Sequence, residues 1–458
     1  MLFFLSLYLF TIISTYNVFK IAFNRILPSN TKVNPDQFIN LFYESNYYLE
    51  MTVGSNYQKI PMRLSFANYH SFITNESYIG NFKKFDPDKS TTYHKMTYGP
   101  RGFALININQ GICSTETFTL KQFNNKKKEI SCDNIDFILA TRPAFNISGD
   151  FGMKLYTKPG DYNNLTYFNF IVNLYKSQYI NHQIFTINYF NSNEGEIIIG
   201  DTPDKYSNWD GDTYRQTNVI ANDTGYFWGF SNLVSYLNKK RLNIKAEKAE
   251  FQIESNIINP ISTYAEKLNE SFFEALVNKT KCIFEEKNEN FAFYHCDKDI
   301  DLTNFPIVQI YQDMLNYTFE LNSDDLFEDI NERKFFLVNF AQNSETKWVL
   351  GRPFLIKYNF TYDIAARTVG MFFGKKEVEP EPNDEFNKVW IFVIISGAII
   401  VILSIVIFIL IKKIPRKQRA NELQETFDYK DNKDNIDSED KNYNSVNSEE
   451  QNKFGIDA

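Results

Sequence analysis

The sequence predicts a mostly β body followed by one transmembrane helix. Short β-branched or aromatic runs with turn residues at their ends recur from residue 47 onward, and helical patterns between them are few. A long run without any charged residue follows at 389–411. The chain has 458 residues, 43% of them hydrophobic, which is enough apolar material for two packed domains.

The N-terminus, residues 1–16, is predicted to be a signal peptide. Its apolar run, LFFLSLYLFTII, has the length of a signal-peptide core and is followed by the small and polar Ser14 and Thr15. A basic n-region is missing, so a buried N-terminal strand or helix stays an alternative. Residues 17–44 are predicted to be a short pro-segment or linker, because the stretch VFKIAFNRILPSNTK is basic.

Strands are predicted in the body where β-branched and aromatic residues alternate with polar ones. The clearest runs are YYLEMTV at 47–53, FALININ at 103–109, HQIFTINYF at 182–190 and GEIIIG at 195–200. One amphipathic helix is predicted in STYAEKLNESFFEALVNKT, after a Ser/Thr cap. Its apolar face comprises Tyr264, Leu268, Phe272, Leu276 and Val277.

The C-terminal end is predicted to cross a membrane once. The uncharged run at 389–411 is long enough to span the hydrocarbon core as a helix. Five basic residues follow it and place the C-terminal side in the cytosol by the positive-inside rule: Lys412, Lys413, Arg416, Lys417 and Arg419. The acidic, proline-bearing segment 375–388 is predicted to be a stalk, and the polar segment 412–458 to be a disordered acidic cytosolic tail.

Glycosylation sequons indicate the same topology. Eight N-x-[ST] motifs occur before the membrane helix and none after it; their asparagines are Asn75, Asn146, Asn164, Asn222, Asn269, Asn278, Asn316 and Asn359. This segregation predicts a single-pass type I membrane glycoprotein with a lumenal or extracellular body. Secretory, endosomal or vacuolar membranes and the plasma membrane all fit.

All four cysteines lie in that body, where disulfides persist. Four cysteines allow three connectivities. Pairing of near neighbours, Cys113 with Cys132 and Cys282 with Cys296, is favoured, because each bond then closes a short local loop.

Several functions are excluded or disfavoured. A net charge of -8 argues against nucleic acid as a partner. The chain has no G-x-S-x-G elbow, H-E-x-x-H helix, P-loop or G-x-G-x-x-G fingerprint. Its four histidines lack metal-ligand spacing. We therefore expect no metal and no cofactor. As a separate expectation, the protein is a monomer.

Several segments, in order along the chain, match motifs of one enzyme family. YYLEMTVGSNYQK is similar to a strand followed by an I-G-T-P-x-Q turn, and FDPDKSTTY to F-x-P-x-x-S-x-T-Y. TYGPRG is similar to the start of a flap hairpin, with Tyr98 and Gly99 at its tip, and IDFILAT at 135–141 to F-D-G-I-L-G-L. WVLGRPFLIKYNFTYDIAARTVGMFFG is similar to a closing segment. Together these segments resemble the pepsin family of aspartic peptidases.

The resemblance implies two β-rich lobes, at 45–210 and 211–374, with a substrate cleft between them. It also places Cys282 and Cys296 where the family often has a disulfide. Peptide bonds are cleaved in this family by one D-[TS]-G motif per lobe. The two carboxylates share a proton; one activates a water molecule while the other donates a proton to the peptide carbonyl.

The resemblance stops at this catalytic pair. Alignment from the opening strand puts the first D-T-G on Ser65, Phe66 and Ala67, and a serine hydroxyl cannot act as the base. In the second lobe, one register puts the acid at Phe251, and a register with a deletion puts it at Glu254. The resemblance also implies bulk under the first loop, because IDFILAT has Phe and Ala where the family has Gly.

The main hypothesis is a catalytically inactive pepsin-like protein that binds a peptide or protein in its cleft without cutting it. One alternative is a divergent, active aspartic endopeptidase in which Glu254 does the work. Another is a surface adhesion or receptor protein that uses the outside of the lobes.

Overall fold

The computed structural model describes residues 17–25, 47–78, 82–96, 108–122, 128–143, 147–155, 168–202, 214–222, 225–277, 279, 281–330, 332–341 and 347–372. These all belong to a compact unit, Met1–Glu377. The predicted signal peptide, stalk, transmembrane helix and cytosolic tail lie outside the described residues, as do Tyr98 and Gly99. Among the described residues, no helix has both the length and the apolar character to cross a membrane.

Strands dominate the described part of the chain. They are β1 (Phe19–Arg25), β2 (Tyr47–Val53), β3 (Gln58–Ser65), β4 (Phe72–Thr74), β5 (His94–Lys95), β6 (Ile108–Gln122), β7 (Glu129–Pro143), β8 (Gly149–Gly152), β9 (Ile184–Tyr189), β10 (Glu194–Ile199), β11 (Tyr214–Asn218), β12 (Ile220–Asn222), β13 (Gly225–Phe227), β14 (Gly229–Leu237), β15 (Lys240–Phe251), β16 (Cys282–Asn288), β17 (Phe291–Asp297), β18 (Val308–Gln312), β19 (Tyr317–Leu321), β20 (Phe327–Ile330), β21 (Arg333–Phe336), β22 (Lys347–Leu350), β23 (Phe360–Asp363) and β24 (Thr368–Phe372).

The helical segments are short. They are a 3-10 turn (Pro87–Lys89), α1 (Phe170–Lys176), α2 (Ser262–Leu268), a π turn (Asn269–Phe273), α3 (Glu274–Val277), α4 (Ser323–Leu326) and α5 (Arg352–Lys357).

One large sheet joins the N-terminal half of the body, β1 to β10, to the C-terminal half, β11 to β24. Its strand order is β11-β24-β23-β9-β10-β1-β2-β3-β8-β4-β7-β6-β5. The halves meet where β23 pairs antiparallel with β9, Thr361 opposite Thr186. Their hydroxyl groups lie 2.8 Å apart in the interior. The C-terminal half adds sheets of five strands, β19-β18-β14-β15-β22, and four strands, β16-β17-β21-β20.

The segment predicted to be a pro-segment or linker contributes β1 to the middle of this sheet. β1 pairs antiparallel with β10 along most of its length and with β2 at its end. Phe19, Ile21 and Phe23 are buried in the core, as the alternation in FKIAFNR requires. Arg25 then forms a 3.0 Å ion pair with Glu328 of the C-terminal half. β1 is therefore part of the folded body.

Strand positions predicted from alternation agree with the structure. YYLEMTV is β2, and HQIFTINYF and GEIIIG match β9 and β10 to within two residues at each end. Part of FALININ lies outside the described residues, and β6 begins at Ile108. Alternation places these strands because one face of each lies against the core.

The predicted amphipathic helix is present but interrupted. α2 buries Tyr264 and Leu268, after which the chain makes a π turn. A π turn adds one residue to a helical turn. Phe273 therefore becomes fully buried, while Val277 is 37% exposed. The prediction that Val277 lies on the buried face was wrong for this reason.

The predicted disulfide between Cys113 and Cys132 was wrong. Both residues are buried free cysteines. They lie on the paired strands β6 and β7, but Cys113 is opposite Ile138, and Cys132 is opposite Phe118. Five positions along a strand correspond to about 17 Å, whereas a disulfide needs Cα atoms within about 7 Å. The bond between Cys282 and Cys296 is formed, because these residues are directly opposite on β16 and β17.

Candidate functional site

The first wall of the site is the turn that begins at Ser65. β3 ends at Ser65 and runs parallel to β8, with Ser65 opposite Gly152. The Met153 N–H donates to the Ser65 carbonyl at 2.8 Å, and the Asn68 N–H donates to Ser65 Oγ at 3.2 Å. A Cβ atom at Gly152 would lie 2.4 Å from the His70 carbonyl oxygen. Only glycine lets the turn pass this close to β8.

The second wall is the loop after β15, and it is built in the same way. β15 runs parallel to β22, with Phe251 opposite Leu350. The Arg352 N–H donates to the Ser255 carbonyl at 2.8 Å. A Cβ atom at Gly351 would lie 2.1 Å from the Ile257 carbonyl oxygen. Each half of the body thus presents one loop, held against a glycine at the end of a parallel strand.

These two loops bring Ser65 and Glu254 together. Ser65 Oγ donates to Glu254 Oε1 at 2.8 Å. The Ala67 N–H donates to the same oxygen at 2.7 Å. Of the two positions considered for the second acid, Glu254 is the one that faces Ser65, whereas the Phe251 ring is buried in the core. Among the described residues, Glu254 is therefore the carboxylate that hydrogen-bonds to the Ser65 turn.

Glu254 is half-buried, and its surroundings act on its pKa in opposite directions. Burial raises the pKa of the carboxyl group. The hydrogen bonds from Ala67 and Ser65 and the charge of Arg63 oppose that rise. Burial is the largest of these effects, so the pKa of Glu254 lies above its ordinary value. Within the part of the chain that the structure describes, the groups of other residues that act on it most are Ala67, Ser65 and Arg63.

A buried ion pair lies directly behind the Ser65 turn. Arg63 Nε donates to Asp150 Oδ1 at 2.9 Å, and a second guanidinium nitrogen donates to Oδ2 at 3.2 Å. Asn68 Nδ2 also donates to Asp150 Oδ2. Breaking such a pair leaves a buried charge uncompensated. The pair therefore holds the turn that follows β3 in place against β8.

Phe66 points away from the carboxylate and into an aromatic cluster. Its ring centroid lies 5.2 Å from Tyr362, 6.4 Å from Trp228 and 6.5 Å from Phe185. The indole N–H of Trp228 donates to the Met153 carbonyl at 2.7 Å. Trp228 and Tyr362 belong to the C-terminal half, so these contacts pin the Ser65 turn to the other half of the body.

The strand expected under the Ser65 turn was misassigned. IDFILAT at 135–141 belongs to β7, which runs parallel to β4, with Phe72 opposite Ile138. The strand that lies alongside Ser65 is β8, and both of its ends are glycine. The prediction that bulky residues replace glycine under this loop was therefore wrong, because the replaced positions lie elsewhere in the sheet.

The structure describes only some of the remaining predicted site residues. Asn75, Asn269, Asn316 and Asn359 are described by the structure. Asn146, Asn164 and Asn278 lie outside the described residues, and Asn222 is described only in its backbone. The predicted flap residues Tyr98 and Gly99 also lie outside them. The sequence at 97–107 contains no Asp or Glu.

Sequence reasoning missed the Arg63 and Asp150 ion pair. One signal was available for Arg63, which stands between Met62 and Leu64 in a strand of apolar residues. A charged residue in such a strand is expected to be paired when buried. Asp150, by contrast, lies in a short segment, ISGDFG, that has no clear alternation.

Comparisons with known proteins agree with this geometry. Residues 46–372 match the model of the eukaryotic aspartyl protease family. No curated protein matches the chain. Among solved structures, the crystal structure of basic 7S globulin from soybean matches with a TM-score of 0.55 and 12% sequence identity, covering 79% of this chain and 96% of that chain. At that identity the likeness supports the mostly β, pepsin-like fold alone.

Proposed function

Because the chain belongs to the eukaryotic aspartyl protease family, we propose that it is a pepsin-like protein without peptidase activity. Its body faces the lumenal or extracellular side of a membrane, to which one C-terminal helix anchors it. The cleft between the halves of the body binds a peptide or protein and does not cut it. The sequons and the uncharged run at 389–411 support the proposed topology.

The observation that carries this proposal is the hydrogen bond between Ser65 and Glu254. Aspartic peptidases need two carboxylates that share one proton, because two adjacent negative charges cannot both persist. Here the partner of Glu254 is a hydroxyl group, which is not a base at any pH of a secretory lumen. The carboxylate oxygen that faces it already accepts two hydrogen bonds.

Glu254 cannot supply both halves of the reaction. Peptide hydrolysis needs one group to remove a proton from water and another to protonate the amide carbonyl. A lone carboxyl group is either ionised or protonated when the substrate arrives. It can therefore act as the base or as the acid but not as both, and one of the two proton transfers has no group to perform it. The raised pKa of Glu254 shifts the balance toward the protonated form and does not supply a second acid.

The backbone supports of the two loops favour ligand binding in the proposed cleft. Both loops keep their parallel strands and their glycines, Gly152 and Gly351. Glu254 remains partly exposed and can accept a hydrogen bond or an ion pair from a ligand. These features support binding in the cleft without hydrolysis.

The decisive experiment assays the purified full-length protein on an unfolded protein substrate at acid pH, with and without pepstatin. We expect no cleavage, and we expect Glu254→Gln to give the same result. Pepstatin-sensitive cleavage that Glu254→Gln abolishes would establish the divergent peptidase instead.

Binding is tested separately by crosslinking. A library of peptides carrying a photoreactive group is bound to the full-length protein, and the crosslinked residues are identified by mass spectrometry. We expect the crosslinks at Ala67 and its neighbours on the Ser65 turn and at the Glu254 loop. Crosslinks confined to the outer faces of the body would favour an adhesion or receptor protein.

A further inference from the structure

One predicted glycosylation site, Asn269, lies inside an aromatic groove on the surface of the C-terminal half. The groove has a volume of about 310 Å³. Its wall includes Asn269, Ala265, Phe284, Tyr294 and Phe340. The sequon asparagine is thus part of the groove.

The aromatic wall of the groove is rigid. Phe284 and Tyr294 lie directly opposite each other on β16 and β17, two positions from the Cys282 to Cys296 bond. Their ring centroids are 4.9 Å apart, and those of Tyr294 and Phe340 are also 4.9 Å apart. Phe284 is nevertheless 42% exposed. The groove therefore presents an accessible aromatic ring backed by two others.

The carboxamide of Asn269 is oriented by this wall. The Tyr294 hydroxyl donates to Asn269 Oδ1 at 2.7 Å. Asn269 Nδ2, the atom that carries an N-linked glycan, has no hydrogen-bond partner among the residues that the structure describes. Attachment of a glycan therefore keeps the bond to Tyr294 and starts the sugar chain at the edge of the groove.

The sequon at Asn359 differs in this respect. Its Nδ2 donates to Asn188 Oδ1 at 2.9 Å, and its Oδ1 accepts from the Tyr189 N–H at 3.2 Å. Both ends of the carboxamide are bound across β9, next to the strand pair that joins the two halves of the body. A glycan on Nδ2 would disturb this pairing.

We propose that Asn269 carries an N-linked glycan whose first sugars lie in the groove against Phe284, Tyr294 and Phe340, and that Asn359 is unmodified in the folded protein. The C–H face of a pyranose ring is apolar and suits an aromatic wall, while its hydroxyl groups stay in water. The groove is thus covered by the protein's own modification. This inference depends on the lumenal or extracellular placement proposed above.

The first test measures site occupancy in full-length protein made in eukaryotic secretory cells. Enzymatic glycan release in heavy-oxygen water followed by mass spectrometry marks each occupied asparagine. We expect occupancy at Asn75, Asn269 and Asn316, and none at Asn359. Occupancy at Asn75 and Asn316 without Asn269 overturns the inference and leaves the placement standing. No occupancy at any sequon overturns both.

The second test measures how the groove protects the glycan. High-mannose glycans are released from the native protein by endoglycosidase H, and the rate is followed at each site. We expect release at Asn269 to be about fivefold slower than at Asn316, as an aromatic contact of ordinary strength would give. Equal rates overturn the packing of the glycan in the groove.

Two exposed neighbours on β16 provide a matched pair of variants. Phe284→Ser should raise the release rate at Asn269 to that at Asn316. Ile283→Ser should leave it unchanged, because Ile283 is 43% exposed but points to the other face of the strand. A slow rate that persists in Phe284→Ser would contradict the role of the aromatic wall.

Discussion

The ring of Phe66 lies edge-on to the ring of Tyr362, with their centroids 5.2 Å apart. Phe66 belongs to the turn that carries Ser65, and Tyr362 belongs to β23, which joins the two halves of the body. The contact therefore couples the candidate site to the central sheet. Phe66, which directly follows Ser65 in the sequence, is therefore part of the hydrophobic core.

We predict that Phe66→Ala lowers the free energy of unfolding by about 3 to 4 kcal/mol, because it removes a large buried ring and leaves a cavity. Urea unfolding followed by tryptophan fluorescence measures the change. Phe190→Ala is the control, since Phe190 is 57% exposed and should change the free energy by less than about 0.5 kcal/mol. Equal effects of the two variants would contradict the packing described here.

We predict that Glu254→Gln raises the melting temperature at neutral pH and leaves it unchanged at acid pH. Burial raises the pKa of Glu254 in the folded state. The folded state therefore favours the protonated form, and the stability that this provides is lost as the pH rises through the raised pKa. Glutamine stays neutral and can still accept the bonds from Ser65 and Ala67.

Thermal unfolding at several pH values tests this prediction. Glu270→Gln is a suitable control, because Glu270 is exposed and forms a surface ion pair with Lys267. A lower melting temperature of Glu254→Gln at neutral pH would mean that its hydrogen bonds outweigh the cost of burying its charge.

We predict that the protein contains one disulfide and two thiols. Alkylation of the native protein should spare Cys113 and Cys132, because both are buried and burial raises their pKa to about 11 and about 12. Alkylation after unfolding without reductant should modify both, and Cys282 and Cys296 should react only after reduction. Peptide mass spectrometry distinguishes these cases. If Cys113 and Cys132 also stayed unreactive in the unfolded, unreduced chain, the bond between them would be restored.

We predict that the mature N-terminus precedes Phe19. Removal of β1 would expose the hydrophobic surface that Phe19, Ile21 and Phe23 cover and would break the ion pair of Arg25 with Glu328. N-terminal sequencing of the purified protein checks this expectation. A folded protein that begins after Arg25 would show that the sheet closes without β1.

Alternation along the chain was sufficient to place strands such as β2. Successive side chains of a strand point to opposite faces, so the pattern shows where a strand with one buried face lies. The sequence of a single strand does not show which strand it pairs with or in which register. Cys113 and Cys132 look close in sequence, yet the register of β6 and β7 separates them. The same limit applies to IDFILAT, since nothing within it shows that β8 and not β7 lies beside Ser65.

Of the two residues that face each other in the candidate site, only Ser65 could be placed from the sequence. Ser65 follows directly from a strand and turn whose spacing is fixed. Its partner depends on the path of the loop after β15, which differs in length from the first loop, so Phe251 and Glu254 both remained open. The hydrogen bond between Ser65 and Glu254 requires the folded arrangement of two segments that lie 189 residues apart.

The packing of Phe66 restricts which residues the Ser65 turn can accept. An aspartate restored at position 65 would bring a second negative charge against Glu254, which already accepts the Ala67 N–H. A small polar residue restored at position 66 would leave a hole beside Tyr362 and Trp228. Each substitution alone is therefore expected to destabilise the folded protein, so the packing that couples the turn to the other half of the body also limits its chemistry.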